Sequence, residues 1–122
     1  MSGSYVLHTS AFLVFEKNEP GAERITEVLS RRAVISAFNW GELLVEWGEQ
    51  PPAALRILAG SAVIIVSFDE QDAWAAARLG ATGLPLGTCA CLATARRLAL
   101  PILTADPAMA DLDVGVTIEV IP

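Results

Sequence analysis

The stretch from Thr82 to Asp106, TGLPLGTCACLATARRLALPILTAD, constrains this chain more than any other. Gly83, Pro85 and Gly87 break the backbone, and the run from Thr88 to Leu98 then carries Ala, Cys and Leu on nearly every side, interrupted mainly by Thr94, Arg96 and Arg97. A helix that is apolar almost all round must be covered almost all round. After Pro101, periodicity alone does not decide between strand and helix for Ile102-Leu103, but the short length and the flanking proline favour a buried strand. That strand runs into Thr104-Ala105-Asp106. In open parallel sheets ligands gather outside the carboxyl ends of strands, where side chains leave the packed layers and helix N-termini converge. Asp106 is therefore a candidate site residue.

The same alternation recurs upstream. Tyr5-Val6-Leu7 reads as a strand stopping at His8-Thr9-Ser10, with Ser10 placed to cap the apolar segment Ala11 to Phe15. Asn18-Glu19-Pro20-Gly21 breaks the chain, and a helix is expected from about Ala22 to Leu29. Ala33-Val34-Ile35 is the next strand, with Ser36 capping a helix from Ala37 to about Glu49. There Trp40, Leu43, Leu44 and Trp47 fall at i, i+3, i+4 and i+7 and predict a buried stripe, while Asn39, Glu42 and Glu46 share the other face. Pro51-Pro52 ends that helix; a short one follows through Leu55 and Leu58, and Ala62 to Val66 is the strongest strand signal. Asp69 opens a helix closing at Gly80, and Asp72 in its first turn is read, like Asp69, as a capping acid. Val116 to Ile121 adds a last strand at an edge. Strands separated by helical sequence require crossovers, so one domain over residues 1–122 is expected, a three-layer α/β/α sandwich with a mainly parallel central sheet.

Composition narrows the partners. Cys89 and Cys91, two apart within a predicted helix, cannot bridge each other and are read as core thiols of a reduced, intracellular protein. With a single histidine they are too few for a structural zinc site. No apolar run approaches the ~20 residues of a membrane span and the first ten residues lack a basic region, so a cytoplasmic protein with no membrane partner is expected. A formal net charge of −6 without a Lys/Arg block means that any nucleic acid must be held through metal ions, a local patch or a second subunit. Trp40, Trp47 and Trp74 are assigned to core or subunit contacts, because no run of basic residues interleaves them. Together with the 53% hydrophobic composition they predict a homodimer.

The ordered set VLHTSA, NEPGAER, ISAFNWGELL, FDEQDA, LGTCACLATAR and LPILTADPAMADL resembles the PIN-domain family, and within it the bacterial VapC-like ribonuclease toxins. The resemblance covers essentially the whole chain. It implies a PIN-like fold, Mg²⁺- or Mn²⁺-dependent endonuclease activity on RNA, a cognate antitoxin and a homodimer. It also implies four acidic positions. Two are intact, Glu42 in NWGELL with Asn39 before it and Asp106 in LTAD with Thr104 beside it. Two are altered, with His8 where the family reads VLD and Thr88 where it reads LGD. The resemblance thus makes Glu42 and Asp106 catalytic metal ligands, offers His8 as a further ligand, and gives Ser10, Asn39 and Thr104 supporting roles.

The residues also have plainer readings. His8 suits a hydrogen-bonded core histidine, Thr88 an N-cap, Glu42 a solvated helix position and Asp106 the start of a turn before Pro107. Hard cations want clustered carboxylate oxygens, and exchanging two carboxylates for an imidazole and a hydroxyl halves the field that holds them. Two functions follow: a ribonuclease toxin, or a PIN-domain protein inactivated at two acidic positions, by nature or by substitution, that serves as a binding module. A nucleotide-binding or receiver-like domain is disfavoured, since no G-x-G-x-x-G or P-loop follows the first strand.

Overall fold

Alternation along three short strands sorts their side chains between two helical layers. The computed structural model describes residues 4–53 and 63–122. Successive residues of a strand face opposite sides of its sheet. Leu7, Ile35 and Leu103 accordingly join Phe12, Ile25, Val28 and Leu29 in one core, while Val6, Val34 and Ile102 join Ala76, Leu79, Cys91 and Leu92 in the other. The strands are β1 (Ser4–Leu7), β2 (Arg32–Ser36), β3 (Val63–Val66), β4 (Ile102–Thr104) and β5 (Ile118–Val120). They form one sheet in the order β3-β2-β1-β4-β5, every pairing parallel. Leu7 pairs with Leu103, so the two expected strand ends are central neighbours.

Helices α1 (Thr9–Lys17) and α2 (Ala22–Leu29) cover one face, and α4 (Glu70–Gly80) and α5 (Leu86–Leu98) cover the other. Between them in sequence, α3 (Ala37–Glu46) buries Leu43 in the first core. Helix α5 is buried continuously from Thr88 to Ala95, as its all-round apolar sequence requires. Cys89 and Cys91 are buried free thiols there. Gly21 is needed at its position: it has φ +100°, and a Cβ would meet the Ile121 side chain at 3.2 Å. The edge strand β5 is pinned by Arg24, whose Nε donates to Glu119 Oε2 at 2.7 Å while its Nη2 donates to the Tyr5 hydroxyl at 3.0 Å. Hydrogen bonding from Arg24 holds the Glu119 carboxyl below its ordinary range.

Several expectations are corrected. Helix α1 starts at Thr9 with His8, not Ser10, as its N-cap, because the His8 ring accepts from the Ser10 backbone N–H at 3.3 Å. Thr88 is not a cap either; α5 begins two residues earlier behind Pro85, which frees the Thr88 hydroxyl for another contact. Helix α3 stops at Glu46, since Gly48 and Glu49 both turn to positive φ. Of its expected stripe only Leu43 is fully buried; Trp40, Leu44 and Trp47 are half-buried, and Trp40 sits edge-on between Phe12 and Trp47. Asn39, expected to face away from the core, is buried. The Ala62–Val66 signal yields an edge strand with Ile64 and Ile65 exposed. Leu55, Leu58 and Ala62 lie outside the described residues. The capping of α4 by Asp69 and Asp72 is as expected, a reciprocal box of side chain and backbone.

Leu103 is fully buried on a central strand, so Leu103→Ala should cost about 2–5 kcal/mol and lower the melting temperature by on the order of 10 °C. Ile64→Ala on the exposed edge should cost far less. Scanning calorimetry of both variants checks the assignment, and equal losses would contradict it.

Candidate functional site

Parallel pairing of β1 with β4 brings the ends of two buried strands side by side, and the N-termini of α1, α3 and α5 open onto the same end of the sheet. The backbone N–H of His8 donates to the Leu103 carbonyl at 3.0 Å, which fixes His8 beside the segment leading to Asp106.

His8 is 8% exposed and has a hydroxyl at each ring nitrogen. Nδ1 lies 2.8 Å from Ser10 Oγ and Nε2 lies 3.1 Å from Thr88 Oγ1. Burial lowers the His8 pKa, and the charges of Asp106 and Glu42 only partly offset it. The ring is therefore neutral at pH 7. Ser10 Oγ also lies 3.2 Å from Thr104 Oγ1 and accepts from the Ala105 N–H, and Thr104 Oγ1 in turn accepts from the Asp106 N–H at 3.1 Å. The hydroxyls thus tie α1 to the end of β4. Asp106 is half-buried and caps the short 3₁₀ turn Pro107–Met109 by accepting from the Ala108 N–H at 3.0 Å.

Glu42 reaches the cleft from α3. The Ser36 hydroxyl caps α3 through the Asn39 N–H and also donates to Asn39 Oδ1, orienting the amide. Asn39 Nδ2 then donates both to Glu42 Oε1 and to the Gly87 carbonyl, each at 2.9 Å. The Glu42 carboxylate lies directly over Gly87, where a Cβ would meet both its oxygens at 2.6 Å. Its charge extends into α5, adding to the burial that pushes the Cys91 thiol up to about 12.

His8, Ser10, Asn39, Glu42, Thr88, Thr104 and Asp106 are thereby linked at the carboxyl end of the sheet by hydrogen bonds or by field. Sequence reasoning missed Gly87, treated only as a helix breaker, because nothing local reports that another helix's carboxylate rests on it. A glycine directly before Thr88 was the available signal.

The donor set does not fit a hard divalent ion well. Both His8 nitrogens already have hydroxyl partners, Thr88 is neutral, and each remaining carboxylate accepts a protein hydrogen bond. Among the described residues no three His, Cys, Asp or Glu side chains converge to hold one ion.

An all-parallel sheet between two helical layers, with polar residues at its central strand ends, defines an α/β domain whose candidate site is the carboxyl end of its sheet. The PIN domain pattern matches residues 5–115, and the chain belongs to that family, whose members generally use a divalent metal. No curated protein matches it in sequence. Its fold is similar to a chain of VapBC2 from Rickettsia felis bound to a promoter DNA fragment, at 16% identity over 98% of this chain and 99% of that one with a TM-score of 0.75. A toxin-antitoxin complex from Klebsiella pneumoniae gives 20% identity over 93% and 95% with a TM-score of 0.74. DNA-bound VapBC from Salmonella typhimurium gives 20% identity over 95% and 96% with a TM-score of 0.72. No helix among the described residues is long and apolar enough to cross a membrane.

The lowered His8 pKa has a definite sign for stability. Unfolded, the ring titrates near its ordinary 6.5; folded, it titrates lower, so below 6.5 the unfolded chain binds the extra proton. The His8 contribution is complete above 6.5 and is lost as pH falls from 6.5 through the folded value. Denaturant unfolding at pH 7.5 and 5.5 should show a loss that His8→Gln reduces; an unchanged loss in that variant would mean that His8 is not the titrating group.

Proposed function

We propose that this chain is a VapC-type PIN protein whose cleft binds a protein partner of the antitoxin kind, while Mg²⁺-dependent cleavage of RNA is slow or absent. The observation that carries the reading is the hydroxyl–imidazole–hydroxyl chain Ser10–His8–Thr88, which occupies two positions where the family resemblance calls for metal-holding acids. A Mg²⁺ ion would find only Glu42 and Asp106 as anionic ligands, and a second cation nearby would meet repulsion with little to offset it. Without cations those two acids repel a phosphate backbone and favour a positively charged protein segment. The VapBC and toxin-antitoxin complexes of similar fold support a separate antitoxin as that segment's source.

One observation favours the second reading, an RNA-cleaving toxin: the charges of Glu42 and Asp106 both reach His8, so the two retained acids lie near the same residue. The two readings separate in a paired experiment, calorimetric Mg²⁺ titration and cleavage of a labelled RNA pool. His8→Asp with Thr88→Asp should raise both affinity and rate at least about tenfold, ~1.4 kcal/mol, and adding Asp106→Asn should abolish the gain. The double variant should also be less stable without metal, because four carboxylates would be partly desolvated and mutually repelled. If the original chain cuts RNA with Mg²⁺ as fast as the double variant, the toxin reading replaces ours.

We further infer a homodimer, supported by the apolar composition and by the exposed Val45 and Leu86. Light scattering at micromolar concentration without partner should give twice the 12.9 kDa chain mass; a monomer would contradict it.

A further inference from the structure

Trp74, assigned above to a core or subunit contact for want of neighbouring basic residues, is 59% exposed and stands in basic company that the sequence hides. A groove of about 680 Å³ runs between α4 and α5, lined by Gln71, Asp72, Trp74 and Arg78 from one helix and Arg96 and Arg97 from the other. Three of the chain's eight basic residues thus meet in one hollow of a molecule with net charge −6.

The arginines differ in engagement. Arg97 donates from Nε to Asp72 and from Nη2 to the Ser67 carbonyl, and so holds the groove wall. Arg78 and Arg96 are exposed and have no hydrogen-bond or ion-pair partner among the described residues. The Trp74 indole is oriented by Nε1–H donation to Glu70 at 3.3 Å, and among the described residues no cation covers its ring. Solvated arginines near helix C-termini need no ligand to explain them, since they complement the macrodipole. An exposed indole that lines one groove together with two unpaired guanidiniums is not covered by that account.

We propose that this groove docks single-stranded nucleic acid, with a base stacked on Trp74 and phosphates held by Arg78 and Arg96. Every base presents a π-face and every linkage a phosphate, so the pairing of indole with guanidinium suits a strand of any sequence. The site is separate from the cleft: Arg96 lies about 12 Å further along α5 than Thr88. It requires neither metal nor Glu42 and Asp106, and does not rest on the reading of the cleft.

The test is fluorescence anisotropy of a labelled 12-nucleotide RNA of mixed sequence in EDTA, with the full chain. The original should bind, with log–log salt slope of roughly −1.4 for two phosphates. Trp74→Ala should weaken binding at least about fivefold, Arg78→Glu with Arg96→Glu should weaken it further, and Glu42→Gln with Asp106→Asn should not weaken it. The same strand annealed into a duplex should bind less well. Thermal melts of each variant distinguish a loss of binding from a loss of fold. Absence of RNA binding by the original chain, or binding unaffected by both groove variants, overturns the proposal. So does a Trp74→Ala variant that turns a dimer into a monomer with unchanged RNA affinity, since the groove would then be a subunit contact.

Discussion

The parallel pairing of β1 with β4 is the constraint on which the rest of this molecule depends. Leu7 opposite Leu103 places both strand ends at one edge of the sheet, and the His8 N–H to Leu103 carbonyl bond extends the ladder one residue into the cleft. A slip of β1 by one residue would turn Leu7 into the helical layer that now holds Val6, and Val6 into the one that now holds Leu7. Register is therefore enforced by burial on both faces, and the positions of His8, Thr104 and Asp106 follow from apolar packing rather than from their own interactions.

On that scaffold the cleft is stabilised by hydrogen bonds instead of by charge balance. Four acids converging without a cation would carry desolvation and mutual repulsion. Here a neutral imidazole is bracketed by hydroxyls, and Ser10, Thr104 and Thr88 from α1, β4 and α5 satisfy one another directly or through His8. The arrangement holds together without metal. Its consequence is chemical, since a site whose donors are already paired with each other has less to offer a hard cation.

Element order, the parallel sheet and the capping box at Asp69 were legible because each depends on local pattern, namely apolar runs, breakers and cap spacing. Asp106 was singled out by its place at the end of a buried strand, Glu42 only by the family resemblance. Thr88 was misread as a cap because a threonine near a helix start has a sufficient local explanation; its contact with His8, 80 residues away, has no local signal. Asn39 likewise reads as a surface amide until Gly87, delivered by a distant turn, accepts its second hydrogen bond. Ala62 to Val66 reads as the strongest strand, yet β3 lies at an edge, since β-propensity reports fit to a pleated surface and not position within a sheet.

Helix α5 joins the two surfaces of functional interest by the same electrostatics acting at its two ends. Its N-terminal turn, partly positive from unpaired N–H groups, lies under the Glu42 carboxylate at Gly87. Its last turn, partly negative, carries Arg96 and Arg97. Because the middle of the helix is buried from Thr88 to Ala95, polar chemistry is confined to those ends. Acid therefore collects at one end of α5, where the Glu42 carboxylate lies over Gly87, and guanidinium at the other, where Arg96 and Arg97 line the α4–α5 groove.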